Sequence, residues 1–204
     1  MTPKVSEEYK AKKKKEIIMH AKNVFQRKGF EPTTMKDIKE EAGISFGGLY
    51  MYFSNTEEIF LHLLEIEYEA NDEKINIYHS DSFWEHLKHF IDNQKKELTV
   101  IRNTLIPIAY EYFVTAWREK HRIPFLENRY KAASAKFMGL LHAGMDSGEF
   151  HPTISVDQLS KVIISTLEGL NISSIFLEED VVDIQGQLDA LQKLLELALQ
   201  VKDQ

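Results

Sequence analysis

Residues 33–59, TTMKDIKEEAGISFGGLYMYFSNTEEI, hold two helix starts and a glycine stop in a span that leaves room only for brief helices joined by a tight turn. Thr34 is placed to cap the first helix, and Asp37 stands three residues later to complete a capping box. Met35, Ile38 and Ala42 recur at helical spacing, and Gly43 supplies the positive φ that ends the helix and turns the chain. Ser45 caps the second helix. There Leu49 and Phe53 point back at the first helix, leaving Phe46, Gly47, Gly48, Tyr50, Met51 and Tyr52 over the remaining surface. A helix presented this way fits a DNA major groove, although a helix, a glycine turn and a second helix is also an ordinary packing motif.

The order of the residues narrows this. TT, then I, then AGIS, a small pair, LYMYF and EEI resembles the DNA-binding domain of TetR-family transcriptional repressors over about residues 15–60. The resemblance implies an all-α protein of two domains: a three-helix helix-turn-helix domain over 1–56, and a helical ligand-binding and dimerisation domain over 57–204. By the same resemblance Thr34, Tyr50 and Tyr52 fall where phosphates are contacted. Met35, Phe46, Gly48 and Met51 fall near base edges, and Lys36, Ser45, Gly47 and Thr56 complete the set expected to meet DNA. Two positions depart from the family pattern. Phe46 stands where a lysine or glutamine is common, and Thr56 where a phosphate-binding lysine is common, so Thr56 is expected to cap the next helix instead.

The exposed positions of the second helix offer few strong hydrogen-bond groups, whereas bases are usually discriminated by Arg, Lys, Asn or Gln. Apolar and shape readout are therefore expected to carry more weight, with Phe46 on a thymine methyl. Gly47 and Gly48 either permit close approach or only relieve crowding in a short helix.

The net charge of −7 at first argues against a nucleic-acid partner, but its distribution reverses that. Residues 1–56 carry 11 Lys and Arg against 7 Asp and Glu, a net +4, leaving 14 against 25, a net −11, in the rest of the chain. A basic head on an acidic body presents one end to phosphates; a solvated lysine-rich terminus is the plainer reading of the same charges. With no cysteine, disulfides and thiolate chemistry are excluded. No apolar run approaches a membrane span and no signal-peptide block opens the chain, so a cytoplasmic protein is expected.

After a loose arm over 1–8, a first helix is predicted from about 8 to 28, buried along Ile17, Ala21, Val24 and Phe25 and stopped by Gly29, with Phe30 packing back. A long helix over 57–77 carries Ile59, Leu63, Ile66 and Ala70 on one side and joins the two regions without a flexible linker. Further helices are predicted over 82–100, 104–118, 122–147, 155–177 and 183–201, with starts at Asp81 or Ser82, Ser155 and Asp183, and with Pro107 in a first turn or at a kink.

The segment 105–117, LIPIAYEYFVTAW, is the most aromatic part of the body. Its Tyr110, Phe113 and Trp117, together with Trp84, His89, Phe137, Leu141 and Leu170, are candidate walls for a hydrophobic or amphipathic ligand, and large apolar side chains are equally the makings of an ordinary core. His86 and His89 share a helix face, but further ligands are not evident, so no metal and no cofactor are expected. Nor is there a phosphate loop, nucleophile elbow or HExxH, and an enzyme is not expected. Leu159, Val162, Ile163, Thr166, Leu167 and Leu170 form one broad stripe, and Leu188, Leu191, Leu194, Leu195 and Ala198 another. The resemblance implies a homodimer through these last two long helices, with Gly169 and Ser173 allowing close approach, that binds operator DNA and is released by a small molecule. The rival is a helical carrier or enzyme in which the helix-turn-helix is only structural.

Overall fold

The computed structural model describes residues 6–76 and 82–201; residues 1–5 of the expected arm, the helix end at Ile77 and the alternative start at Asp81 lie outside them, and the last two arm residues, Glu7 and Glu8, are already helical. Every regular element among the described residues is helical. The chain divides into two compact units, Met1–Lys74 and Ile75–Gln204.

In the first unit, α1 (Glu7–Lys28) starts at Ser6, whose hydroxyl accepts from the Tyr9 amide, and ends at Gly29 with φ 87°. It buries Ile17, Ala21, Val24 and Phe25 and packs on α2 (Met35–Ala42), which buries Ile38 and in turn packs on α3 (Phe46–Tyr50), where Leu49 is buried. The fourth helix, α4 (Thr56–Asn76), closes this core with Ile59, Phe60, Leu63 and Leu64. The Phe60 ring lies 4.9 Å from Phe25 and 4.8 Å from Phe30, and Lys22 bonds Glu67 at 2.6 Å. That packing keeps α4 in the first compact unit as far as Lys74. Thr56 is not the cap of α4. It is the first helical residue, and the side chain of Asn55 accepts from the Glu58 amide at 2.8 Å.

The second unit is built on α5 (Phe83–Thr99), α7 (Ile123–Asp146), α8 (Val156–Phe176) and α10 (Ile184–Leu199), whose shared core includes Leu87, Ile91, Leu141, Ile163, Leu188 and Leu195. Gly144 of α7 lets the buried Phe150 ring lie directly on the helix: a methyl there would overlap three ring carbons. Glu149, buried in the α7–α8 connection, accepts from the Ser82 hydroxyl at 2.5 Å and from the amides of Phe83 and Trp84 at 2.7 and 3.0 Å. It satisfies donors that a helix start leaves open.

Between α5 and α7 the helix expected over 104–118 is shorter. Here α6 (Ile106–Val114) has Pro107 in its first turn and gives way to 3-10 turns over Thr115–Trp117 and Lys120–Arg122. The Thr115 hydroxyl bonds back to the Tyr112 carbonyl at 2.9 Å, and the Arg122 guanidinium lies over the Tyr112 ring and bonds Thr115. Side chains thus compete with the backbone ladder where the helix stops. One short helix, α9 (Glu179–Val182), was not expected. Asp183, at φ 49°, separates it from α10 and caps the latter through the Gly186 amide at 3.0 Å.

Candidate nucleic-acid interface

The capping geometry read from the sequence is present. Thr34 Oγ1 accepts from the Asp37 amide at 3.3 Å, and Asp37 Oδ2 accepts from the Thr34 amide at 2.9 Å and its hydroxyl at 2.7 Å. Gly43 takes φ 63°, and Ser45 accepts from the Gly48 amide at 3.1 Å. The second helix is shorter than expected and ends at Tyr50, so Phe53 lies beyond it; Leu49 of α3 and Phe53 just after it are both fully buried and hold the segment to the core. Its other face is open: Phe46 is 43% exposed, Tyr50 54% and Met51 74%, with the Phe46 and Tyr50 rings stacked 6.1 Å apart. Lys36, Ser45 and Gly47 are exposed beside them, Met35, Gly48, Tyr52 and Thr56 half-buried. A Cβ on Gly47 would meet nothing nearer than the Ser45 hydroxyl at 4.0 Å, so crowding does not explain that glycine; on Gly48 it would meet the same oxygen at 3.3 Å.

Four side-chain contacts of this unit were not read from the sequence. Lys28 pairs with Asp37 at 2.8 Å. Together with the Thr34 bonds it lowers the Asp37 carboxyl from its ordinary 3.8 to about 2. Glu7 and Glu16 hold Lys10 and Lys13 at 2.9 Å and raise both ammonium groups, with nearby Tyr52 adding a smaller effect. The Lys39 ammonium lies over the Phe46 ring, 4.8 Å from its centre. Lys28 with Asp37 and Lys39 over Phe46 join residues on different elements, which helical periodicity cannot pair, whereas the two Glu–Lys pairs lie three residues apart on α1.

A pH prediction follows from Asp37. Its folded carboxyl is the stronger acid, so its contribution is complete above the ordinary value and is lost as pH falls through about 2. Asp37→Asn is expected to melt below the parent at neutral pH, the gap closing as pH falls from about 4 to about 2 in thermal melts. A gap unchanged across that range would contradict the pairing.

The candidate ligand residues separate into two groups. Trp84, Leu141 and Leu170 belong to the core of the second unit, with Phe137 packed against them and edge-on to Phe90 at 5.3 Å; His89 is half-buried. Tyr110 and Phe113 meet edge-on at 5.8 Å around a polar group, in which the Tyr110 hydroxyl donates to Glu168, Glu168 pairs with Arg129 at 2.7 Å, and Arg129 lies 5.0 Å from the Phe113 ring centre. Burial first, then Glu168, pushes the Tyr110 phenol well above its ordinary range. Trp117, past the end of α6 at Val114, is 73% exposed beneath Arg118 and apart from both groups.

Residues 17–63 match the family described as bacterial regulatory proteins, tetR family, and residues 86–185 the tetracyclin repressor-like C-terminal domain. The HTH-type transcriptional regulator YfiR of Bacillus subtilis strain 168 is 37% identical over 204 residues, 100% of both chains. The chain belongs to the TetR family. It is a DNA-binding transcriptional regulator of that family, all helical, with an N-terminal helix-turn-helix and a C-terminal helical domain. The HTH-type transcriptional repressor KstR2 of Mycobacterium tuberculosis H37Rv is a more distant relative, 22% identical over 163 residues that cover 74% of this chain and 76% of its own. The TetR fold is seen also in Salmonella enterica GusR, at TM-score 0.73 and 17% identity over 96% of this chain and 98% of that one. No helix among the described residues is long and apolar enough to cross a membrane.

Proposed function

We propose that this TetR-family regulator is a homodimeric repressor that leaves its operator when a small hydrophobic or amphipathic molecule binds the C-terminal unit. The observation that carries the DNA side is the α3 face. Leu49 within α3 and Phe53 just beyond it anchor the segment from behind, so Phe46, Tyr50 and the following Met51 are exposed on a rigid mount within the basic part of the chain. Thr34, Tyr50 and Tyr52 contact phosphates and fix the register, while Phe46, Gly48 and Met51 approach bases. The likeness to KstR2, a transcriptional repressor by name, supports the sign of regulation. For the ligand, Tyr110, Glu168 and Arg129 are polar groups able to orient a guest beside Phe113. Release is linkage: a ligand favouring the DNA-incompetent arrangement lowers operator affinity by the difference in its two binding free energies.

Selection of bound fragments from random and genomic DNA, followed by titration at several salt concentrations, tests the central claim. A palindromic site bound by two protomers is expected. On that site the double change Tyr50→Phe and Tyr52→Phe removes two phosphate hydrogen bonds per protomer, four per dimer. At about 1 kcal/mol each this weakens binding roughly 1000-fold on every sequence alike. The salt slope stays unchanged, since no charge is lost. Unchanged affinity would remove both tyrosines from the interface, and sequence-indifferent binding by the parent would overturn the regulator mechanism.

A further inference from the structure

The base-facing end of α3 offers no cation of its own, since its first residues are Phe46, Gly47 and Gly48. A cation nevertheless stands there. Lys39, one turn before the end of α2, extends its ammonium over the exposed Phe46 ring at 4.8 Å, and Phe46 is in turn stacked on Tyr50. Lys22, Arg27 and Lys28 are spent on Glu67, Glu41 and Asp37, while Lys36, on the same helix as Lys39, is exposed. Lys39 has no ion pair among the described residues and is held only by the ring.

We propose that Lys39 of α2 is a sequence-reading residue, donating to the acceptor edge of a guanine beside the base pair that Phe46 touches. This rests on the DNA-binding mechanism above. In helix-turn-helix proteins the first residues of the second helix meet the base edges, so an ammonium parked on Phe46 enters the groove with it. Guanine presents N7 and O6 there, two acceptors that a lysine can serve and that no group on the Phe46, Gly47 or Gly48 side chains can. The ring limits where the flexible lysine stem points, which reduces the ordering cost of the contact. Lys39 and Phe46 thus read as a pair: an apolar contact for a methyl, and a donor for its neighbour.

The substitution to make is Lys39→Met, which keeps an unbranched apolar stem on the ring and removes the charge. Parent and variant are each taken through fragment selection, and both are titrated on the parent's best site and on that site with each guanine changed in turn. The expected result is that the variant loses preference at one guanine in each half-site. Its affinity for the best site falls about tenfold per half-site, and parent and variant converge where that guanine is replaced. An equal loss on every sequence, with a shallower salt slope, would make Lys39 a phosphate contact and overturn the base-reading role. A lowered melting temperature with unchanged affinities would make the Lys39–Phe46 contact a purely structural one and overturn it as well. If the parent itself selects no sequence, the regulator mechanism fails and this proposal with it; a selective parent with an equally selective variant defeats the Lys39 assignment alone.

Discussion

Gly144→Ala is expected to destabilise the C-terminal unit by about 3 kcal/mol, a fall of roughly 6–12 °C in melting temperature. The direction is the informative part. By helix propensity alone, alanine for glycine inside α7 gains about 1 kcal/mol. Here the new methyl falls on the Phe150 ring, and Phe150 is itself buried and anchored, its amide donating to the Gly144 carbonyl at 2.9 Å. The ring cannot swing clear without opening the turn that carries Glu149 to the start of α5. Gly139, five residues earlier on the same helix, is the control: a methyl there meets nothing within 4 Å and the site is exposed, so Gly139→Ala should be neutral or stabilising. If both variants melt together, the close approach of Phe150 is not what requires glycine at 144.

The second large effect is expected from the two outward leucines of α10. Leu194 is 65% exposed and Leu197 63%, and α8 adds Val162, Gly169, Ile172 and Phe176 at helical spacing along its own open side. Replacing both leucines with glutamate should leave each protomer folded, since neither side chain is in the core. It should yield monomers in sedimentation and weaken operator binding by about 100-fold or more, because a monomer must hold one half-site without its linked neighbour. A variant that still sediments as a dimer would place the interface elsewhere. One that is monomeric yet binds the operator as tightly as the parent would separate dimerisation from DNA binding altogether.

What could be read from the chain was whatever depends on near neighbours. Thr34 with Asp37, Gly43, and Ser45 with Gly48 are bonds across three residues or a single φ, and the structure reproduces each. The buried stripe of α1 followed from helical spacing for the same reason. Contacts made across elements were out of reach: Lys28 with Asp37, Lys39 over Phe46, and the group joining Tyr110, Arg129 and Glu168 from three different helices. The early end of α6 was missed because its apolar pattern continues to Trp117, while the competing bonds depend on Arg122 folding back. Thr56 failed as a cap by a single position: Asn55 also carries an acceptor, and spacing alone does not decide between adjacent polar residues.

Glu149 has a consequence for the order in which the C-terminal unit can assemble. The amides of Phe83 and Trp84 find their acceptor 66 and 65 residues further along the chain. Until α7 has formed and turned at Gly148, the start of α5 has only the local Ser82 cap to hold it, and isolated helices of this length are marginal in water. The first turn of α5 therefore becomes secure late, after a long loop has closed, and its two amides report from one place on whether the α7–α8 connection has docked.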